Sequence, residues 1–200
     1  MRKGEHVEQV RCIPLVRMIL RTGLAIGWLL VAAAGALGEN PKPTDYQVKA
    51  AYLYNFGRFV EWPVSAAGKG EFFTVCVLGK DPFGPVLDKA LAGETIGGKS
   101  VVARRISTPQ ESGNCQVLFL SSTEEGRLDK IIEAIDKEAV LTVSDMPQFS
   151  EHGGMVQFVL EDKRVRFEVN LTAAQNAGLT LRSELLRVAT VVKKNPPTGN

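Results

Sequence analysis

The sequence predicts an α/β fold, a single domain with a mixed, mostly parallel central sheet flanked by helices, plus a C-terminal β-hairpin and helices. Continuous apolar runs alternate with helical patterns over residues 72–144, which is typical of strands buried on both faces of a sheet. Residues 155–169 instead alternate apolar and polar positions, as the strands of a hairpin do. No repeat or internal linker divides the chain, so one domain is expected.

The first 38 residues have the pattern of a secretory signal. Five basic residues precede an uncharged run over 22–38 that ends in small residues. Cleavage is predicted at 34–36 or 36–38, and the long basic region leaves Met18 as an alternative start. An uncleaved membrane anchor is the other interpretation, although the apolar core is short for a span of about 20 residues.

Removing the signal leaves 39–200 as the exported domain, with an ordered part expected over about 45–192. This portion carries 19 basic and 20 acidic residues, a net charge of −1, and the whole chain is 44% hydrophobic and 23% charged. The composition is that of a globular protein. Since no basic stripe or basic–aromatic motif remains, nucleic-acid binding is not expected.

Two cysteines remain once the signal, which contains Cys12, is removed. An even pair in an exported chain suggests a disulfide between Cys76 and Cys115, because an oxidising compartment lets it persist. Closing a loop of roughly 40 residues would stabilise the fold by about 3–4 kcal/mol. The alternative is two buried free thiols. Neither cysteine has a C-x-x-C partner, so a redox or zinc site is not expected.

The ordered part begins with one aromatic-rich helix over 46–62, which Asp45 is expected to cap and Trp62-Pro63 to end. The apolar positions at helical spacing are Val48, Ala51, Tyr52, Phe56, Phe59 and Val60. The helix holds more aromatic residues than one face buries. The others either pack under loops or contact a partner, and packing is favoured for most of them.

The remaining elements follow from apolar runs, amphipathic segments and turn signals. Strands are expected at 72–78, 99–106, 116–121 and 139–144, with helices at 86–91 and 124–137. A hairpin is predicted from strands at 155–160 and 164–169, joined by Asp162-Lys163, although Asp-Lys is a weaker turn pair than Asp-Gly. A helix over 172–177 ending at Gly178 and a last helix over 182–191 complete the chain.

A catalytic site is not evident from the sequence. The exported part holds one histidine, His152, and a solvated surface residue is the ordinary interpretation of a lone loop histidine. A hydrolase would have to combine it with Asp145 or Glu168 as orienting acid and Ser144 or Ser150 as nucleophile. Neighbours on one loop rarely form such a triad, and no phosphate-binding or metalloprotease motif occurs. No enzymatic activity, metal or cofactor is therefore expected.

Asp145 is a candidate ligand-binding residue because it follows a predicted strand at its carboxyl end, where open α/β sheets bind ligands. A small-molecule site there would include the 79–84 loop with Asp81. The other interpretation, which is favoured, is a turn residue that bonds its own backbone.

Glu168 and Asn170 form a second candidate site, since alternation places them on one face of a strand. They either belong to a polar, partner-facing patch, or Asn170 caps the following helix while Glu168 pairs with Arg166 or Arg182. The sequence leaves both interpretations open.

Four segments taken together match a known pattern: KAAYLYNFGRFVEWP (49–63), CVLGKDPFG (76–84), LTVSDMPQF (141–149) and GGMVQFVLEDKRVRFEVNLTAAQNAGL (153–179). They resemble the YfiR family of periplasmic repressor proteins from Gram-negative bacteria, in order and over about 46–189. The Cys76 and Cys115 spacing also fits that family's disulfide. This chain has no spare cysteine pair for the second bridge of some relatives.

The resemblance implies a soluble periplasmic protein that binds the periplasmic sensor region of an inner-membrane diguanylate cyclase. Binding would inhibit the cyclase and so lower cyclic di-GMP and biofilm formation, and envelope or redox stress would release it. An outer-membrane lipoprotein that sequesters the repressor is a further implied partner, as is a second copy of the chain in a homodimer.

The surface expected to dock the cyclase combines aromatic anchors with a polar rim. Its predicted residues are Tyr54, Phe59, Trp62, Arg166, Glu168 and Asn170. The alternative function is a periplasmic small-molecule-binding module, with Asp145 and Asp81 as the ligand contacts.

Overall fold

The computed structural model describes residues 42–64, 70–136 and 138–193. The predicted signal over 1–38, its cleavage positions and the alternative start at Met18 lie outside the described residues. Within the described ranges, no helix is long and apolar enough to cross a membrane.

Ten strands are described. They are β1 Val60–Glu61, β2 Phe73–Leu78, β3 Thr95–Ile96, β4 Lys99–Ile106, β5 Val117–Leu120, β6 Leu141–Ser144, β7 Val156–Glu161, β8 Arg164–Asn170, β9 Thr180–Leu181 and β10 Val191–Lys193. Eight form one sheet in the order β10-β8-β7-β6-β5-β2-β4-β3, and β1 pairs with β9 separately. The large sheet is parallel except that β8 runs antiparallel to β7 and β3 to β4. This is the mixed, mostly parallel single-domain α/β fold that was predicted.

Helices cover the sheet on two faces. They are α1 Asp45–Phe59, α2 Pro85–Leu91, α3 Leu128–Ile135, α4 Leu171–Asn176 and α5 Ser183–Val188, with short 3-10 helices at Pro109–Asn114 and Ser122–Arg127. Alternate residues of β2 enter two separate cores: Val75 and Val77 pack with residues of α1 and α2, whereas Cys76 and Leu78 pack with residues of α3. The continuous apolar runs are therefore strands buried on both faces, as expected.

Helix α1 begins one residue earlier than predicted, because its cap is Thr44 and not Asp45. Thr44 accepts a hydrogen bond from the Gln47 amide at 3.3 Å, and the Gln47 side chain accepts one from the Thr44 amide at 2.7 Å. This reciprocal pair satisfies two amides that the first helical turn leaves free.

The face of α1 that enters the core also differs from the prediction. Ala50, Leu53 and Phe56 are fully buried, whereas Ala51 is exposed. The buried set has spacings of three, which place it on one side of a helix. The helix ends at Phe59, since the Val60 and Glu61 backbone pairs with β9.

The predicted last helix over 182–191 is wrong in its second half. Helix α5 ends at Val188, and β10 follows as an edge strand parallel to β8. The Thr190 amide donates to the Phe167 carbonyl at 2.9 Å, which starts this pairing. Two adjacent β-branched residues, Val191 and Val192, favour a strand over a final helical turn.

The hairpin of β7 and β8 has the predicted two-residue loop. Asp162 and Lys163 both have positive φ, at 48° and 59°. Two consecutive positive values define a type I′ turn, whose twist matches that of the paired strands. Gly178 also has a positive φ, at 74°, and ends the α4 segment as expected.

Candidate functional site

Asn170 is a structural residue at the corner where β8 meets α4. Its side-chain oxygen accepts from the Ala173 amide at 3.0 Å, and its amide nitrogen donates to the Ser150 carbonyl at 2.8 Å. Because Asn170 is only 2% exposed, its side chain is not presented to a partner. The helix-cap interpretation is therefore confirmed for this residue.

The same corner fixes the loop that precedes β7. The Ser150 amide donates to the Gln157 side chain at 3.0 Å, and Lys193 donates to the Ser150 hydroxyl at 3.1 Å. Gly154 is required here, since a Cβ at this position would overlap the buried Phe149 ring. The loop is thus held by hydrogen bonds and by close packing.

Glu168 pairs with Lys193 at 3.4 Å, and not with Arg166 or Arg182, the partners named in one of the two interpretations. Strand β10 places Val191 beside Glu168 in the parallel register, which brings Lys193 within reach. Arg182 instead pairs with Glu61 at 2.9 Å. Because a helix was predicted up to residue 191, the pairing of β10 with β8 that brings Lys193 to this position was not expected.

One face of β7, β8 and β10 lies outside the two core clusters. The cluster beneath α3 contains no residue of these strands, and the cluster beneath α1 contains residues from the other face of β7 and β8. We call the resulting surface the open sheet face, and its side chains are Val159, Arg166, Glu168, Val191 and Lys193. It combines two apolar side chains with charges of both signs.

The three aromatic residues predicted to contact a partner lie mainly against the core. Tyr54, Phe59 and Trp62 are all partly buried and pack on the cluster beneath α1. A hydrogen bond to Glu94 raises the pKa of Tyr54. The Trp62 ring meets Phe73 edge-to-face at 5.3 Å, and its indole N–H has no acceptor among the described residues. These contacts give the three residues a packing role.

Asp145 joins the end of β6 to α1. Its carboxylate accepts from the Lys49 ammonium at 2.6 Å and from the Tyr46 hydroxyl at 3.2 Å. Lys49 also lies over the Tyr46 ring, 4.5 Å from its centroid. Burial and the neighbouring Asp145 raise the pKa of Tyr46. Asp145 therefore forms a largely buried ion pair and is not only a turn residue. This pairing occupies the carboxylate that a ligand would need.

Asp81 is likewise engaged within the protein. It accepts from the Phe83 amide at 2.7 Å and from Arg105 at 2.9 Å. Arg105 also donates two hydrogen bonds of 2.7 Å to Asp88, and these hold the pKa of Asp88 below its usual range. Arg105, which sequence analysis did not single out, therefore ties the 79–84 loop to α2.

The candidate hydrolase residues do not come together. His152 lies 3.0 Å from Asp129, the Ser144 hydroxyl donates to the Leu120 carbonyl at 2.8 Å, and Lys193 bonds to the Ser150 hydroxyl. In the described part of the chain, no three His, Cys, Asp or Glu side chains are grouped as a metal site.

The structure contains the predicted disulfide. Cys76 of β2 and Cys115 before β5 are joined, with their Cα atoms 5.8 Å apart, and both are buried. The bridge fastens the 3-10 helix at Pro109–Asn114 to the sheet. Its burial makes it a structural bond, protected from solvent reductants.

These features define a disulfide-bridged α/β domain with a mixed apolar and charged face on one part of its sheet. The YfiR/HmsC-like family model, DUF4154, matches residues 46–190, and the chain belongs to this family. The family is regulatory and not catalytic, and it suggests a periplasmic regulator of a diguanylate cyclase.

Other comparisons add little to the family match. None of the curated proteins compared with the chain matches it. A conserved domain protein from Vibrio cholerae O1 biovar El Tor aligns at 14% identity and a TM-score of 0.47, over 60% of this chain and 54% of that one. The ABC domain from Streptococcus pneumonia in complex with L-Trp aligns at 12% identity and a TM-score of 0.48, over 74% and 60%. The chain thus spans less than two thirds of either structure.

Proposed function

We propose that this protein is exported by a cleavable signal and inhibits an inner-membrane diguanylate cyclase by binding its periplasmic sensor region. Inhibition lowers cyclic di-GMP and biofilm formation. The family match over residues 46–190 carries the proposal, because it covers nearly all of the described domain. A homodimer and sequestration by an outer-membrane lipoprotein belong to the same proposal.

The open sheet face is the surface we assign to the cyclase. Arg166 and Glu168 lie on the middle strand β8, and Val159 of β7 and Val191 of β10 lie on either side of them. A surface that mixes apolar and charged side chains has the composition of a non-obligate protein–protein interface. Arg166 is exposed and has no ion pair among the described residues, so its guanidinium is available to a carboxylate of the sensor region.

Inhibition by surface binding requires that the two cyclase conformations bind differently. A protein that binds the inactive conformation more tightly shifts the equilibrium by that difference in affinity, without a chemical step. Shifting a cyclase from 1% to 99% inactive needs roughly 10⁴-fold preference. The proposed function therefore demands a surface that distinguishes the two cyclase conformations.

The rival function, a small-molecule module at Asp145 and Asp81, receives no support from the contacts of either residue. Both carboxylates are already paired, with Lys49 and with Arg105 respectively. Releasing either one to a ligand would leave a cation without its partner.

The experiment is a gene deletion with complementation. Deletion is expected to raise cellular cyclic di-GMP, and wild-type protein to restore the lower level, while an inner-membrane cyclase co-purifies with a tagged copy. Complementation with Arg166→Glu is expected to fail. The matched variant Lys89→Glu reverses an exposed charge on α2 and is expected to complement fully. Unchanged cyclic di-GMP on deletion would reject the proposed function.

A further inference from the structure

A cavity of about 270 Å³ lies at the opposite end of β6 from Asp145. Its walls come from the end of α3, the start of β6, the loop before β7 and one side of α4. None of the predicted site residues except the cap Asn170 lines it. This cavity is small compared with typical ligand pockets of roughly 300–1,000 Å³, so an occupant must be small.

Three polar side chains that line this cavity, one buried and two exposed, can make further hydrogen bonds. Thr142, only 2% exposed, accepts from the Met155 amide at 3.0 Å, and its hydroxyl proton has no acceptor among the described residues. Asp136 and Asn176 are exposed at the mouth of the cavity, and their side chains have no protein partner within the described part of the chain. A buried hydroxyl proton without an acceptor is unfavourable, so an acceptor in the cavity would stabilise it.

The remaining wall determines the charge and shape of the occupant. Ile132, Ile135 and Met155 supply an apolar surface. Among the described lining residues, Asp136 is the one that carries a formal charge. The Asp136 carboxylate would repel an anion and would supply a counter-charge to a cation.

We propose that this cavity binds a small primary ammonium compound with a short aliphatic chain and a neutral oxygen. The ammonium group pairs with Asp136 at the rim, the chain lies on Ile132, Ile135 and Met155, and the oxygen accepts from Thr142 or from the Asn176 amide. This binding is separate from the proposed function, since the cavity does not include the open sheet face.

The first test uses amide NMR of the folded protein with linear amino alcohols, from 3-aminopropan-1-ol to 6-aminohexan-1-ol. We expect saturable shifts confined to α3, the start of β6 and α4 for at least one of them. The matched anion 6-hydroxyhexanoate is expected to cause no such shifts. If no amino alcohol gives saturable shifts, or if the anion binds as tightly, the proposal is wrong.

Variants then test whether Asp136 supplies the charge and whether the ligand binds in this cavity. Asp136→Asn is expected to weaken binding of the best amino alcohol about fivefold, the upper range for an exposed charge pair. Glu133→Gln, an exposed carboxylate of α3 outside the cavity, is expected to leave binding unchanged. Ala173→Leu places a larger side chain in the cavity and is expected to abolish binding. Equal affinity in wild type and Asp136→Asn would overturn the assignment.

Discussion

The two halves of the sheet differ in how they are covered. Strands β2, β5 and β6 are buried on both faces, and the two core clusters and the disulfide meet there. Strands β7 and β8 have a core on one side and charged side chains on the other, and the edge strand β10 exposes both of its valines. The difference separates stability from recognition: changes in the covered half should unfold the protein, whereas changes in the open half should alter binding.

The largest effect on stability is expected from Lys49→Met. This change leaves Asp145 largely buried without its cation, and breaking a buried pair typically costs about 3–5 kcal/mol. Urea denaturation of the wild type and the variant measures the difference. Lys89→Met, at an exposed position, is the control and should cost little. A loss below about 1 kcal/mol for Lys49→Met would show that the ion pair is dispensable.

Removing the disulfide is the next largest change. The double variant Cys76→Ala/Cys115→Ala releases a bridge between residues separated by 39 positions, and the expected cost is about 2–4 kcal/mol. Thermal unfolding of the variant and of oxidised wild type gives the value. Non-reducing peptide mapping is the accompanying control. Recovery of both thiols in unreduced wild-type protein would contradict the bridge itself.

Stability should also depend on pH through Arg105 and Asp88. The folded-state pKa of Asp88 lies below its ordinary value because Arg105 donates to it. The carboxylate therefore contributes stability above its unfolded pKa, and this contribution is lost as the pH falls through the folded pKa. Arg105→Met should then cost more at pH 7 than at pH 2.5, by less than about 1 kcal/mol for such an exposed pair. An equal cost at both pH values, measured in urea, would contradict this account.

The smallest expected effect is at the hairpin tip. Lys163 has a φ of 59°, a conformation that costs a non-glycine residue more than it costs glycine. Lys163→Gly relieves this cost but makes the unfolded chain more flexible, which opposes folding. The net effect should be a stabilisation of about 0.5 kcal/mol. Arg164→Gly, on the adjoining strand, should have the opposite sign. Chemical denaturation of both variants measures these two changes in the free energy of unfolding.

The elements predicted accurately are those specified by local pattern. The strand over 99–106 agrees with β4 at both ends, because turn residues bound its run on each side. The cap role of Asn170 is one of the two interpretations that the sequence offers, since a cap acts within three residues. Both features depend on neighbours in the sequence.

The errors arise where a contact joins distant segments. Lys49 and Asp145 are 96 residues apart, and neither local pattern indicates their pairing. Strand β10 exists because it pairs with β8 at the sheet edge, whereas its residues also continue a helical pattern. The Glu168 partner was missed for this reason, as was the boundary of the open sheet face.

The central claim, that the open sheet face binds the cyclase, is tested most directly by an affinity measurement. Purified protein is titrated against the isolated periplasmic sensor region of the co-purifying cyclase, with Arg166→Glu and Lys89→Glu compared at equal thermal stability. The account predicts that Arg166→Glu binds about thirty-fold more weakly, the loss of roughly 2 kcal/mol expected at an interface hot spot, and that Lys89→Glu binds like wild type. Equal affinity of Arg166→Glu and wild type would contradict it.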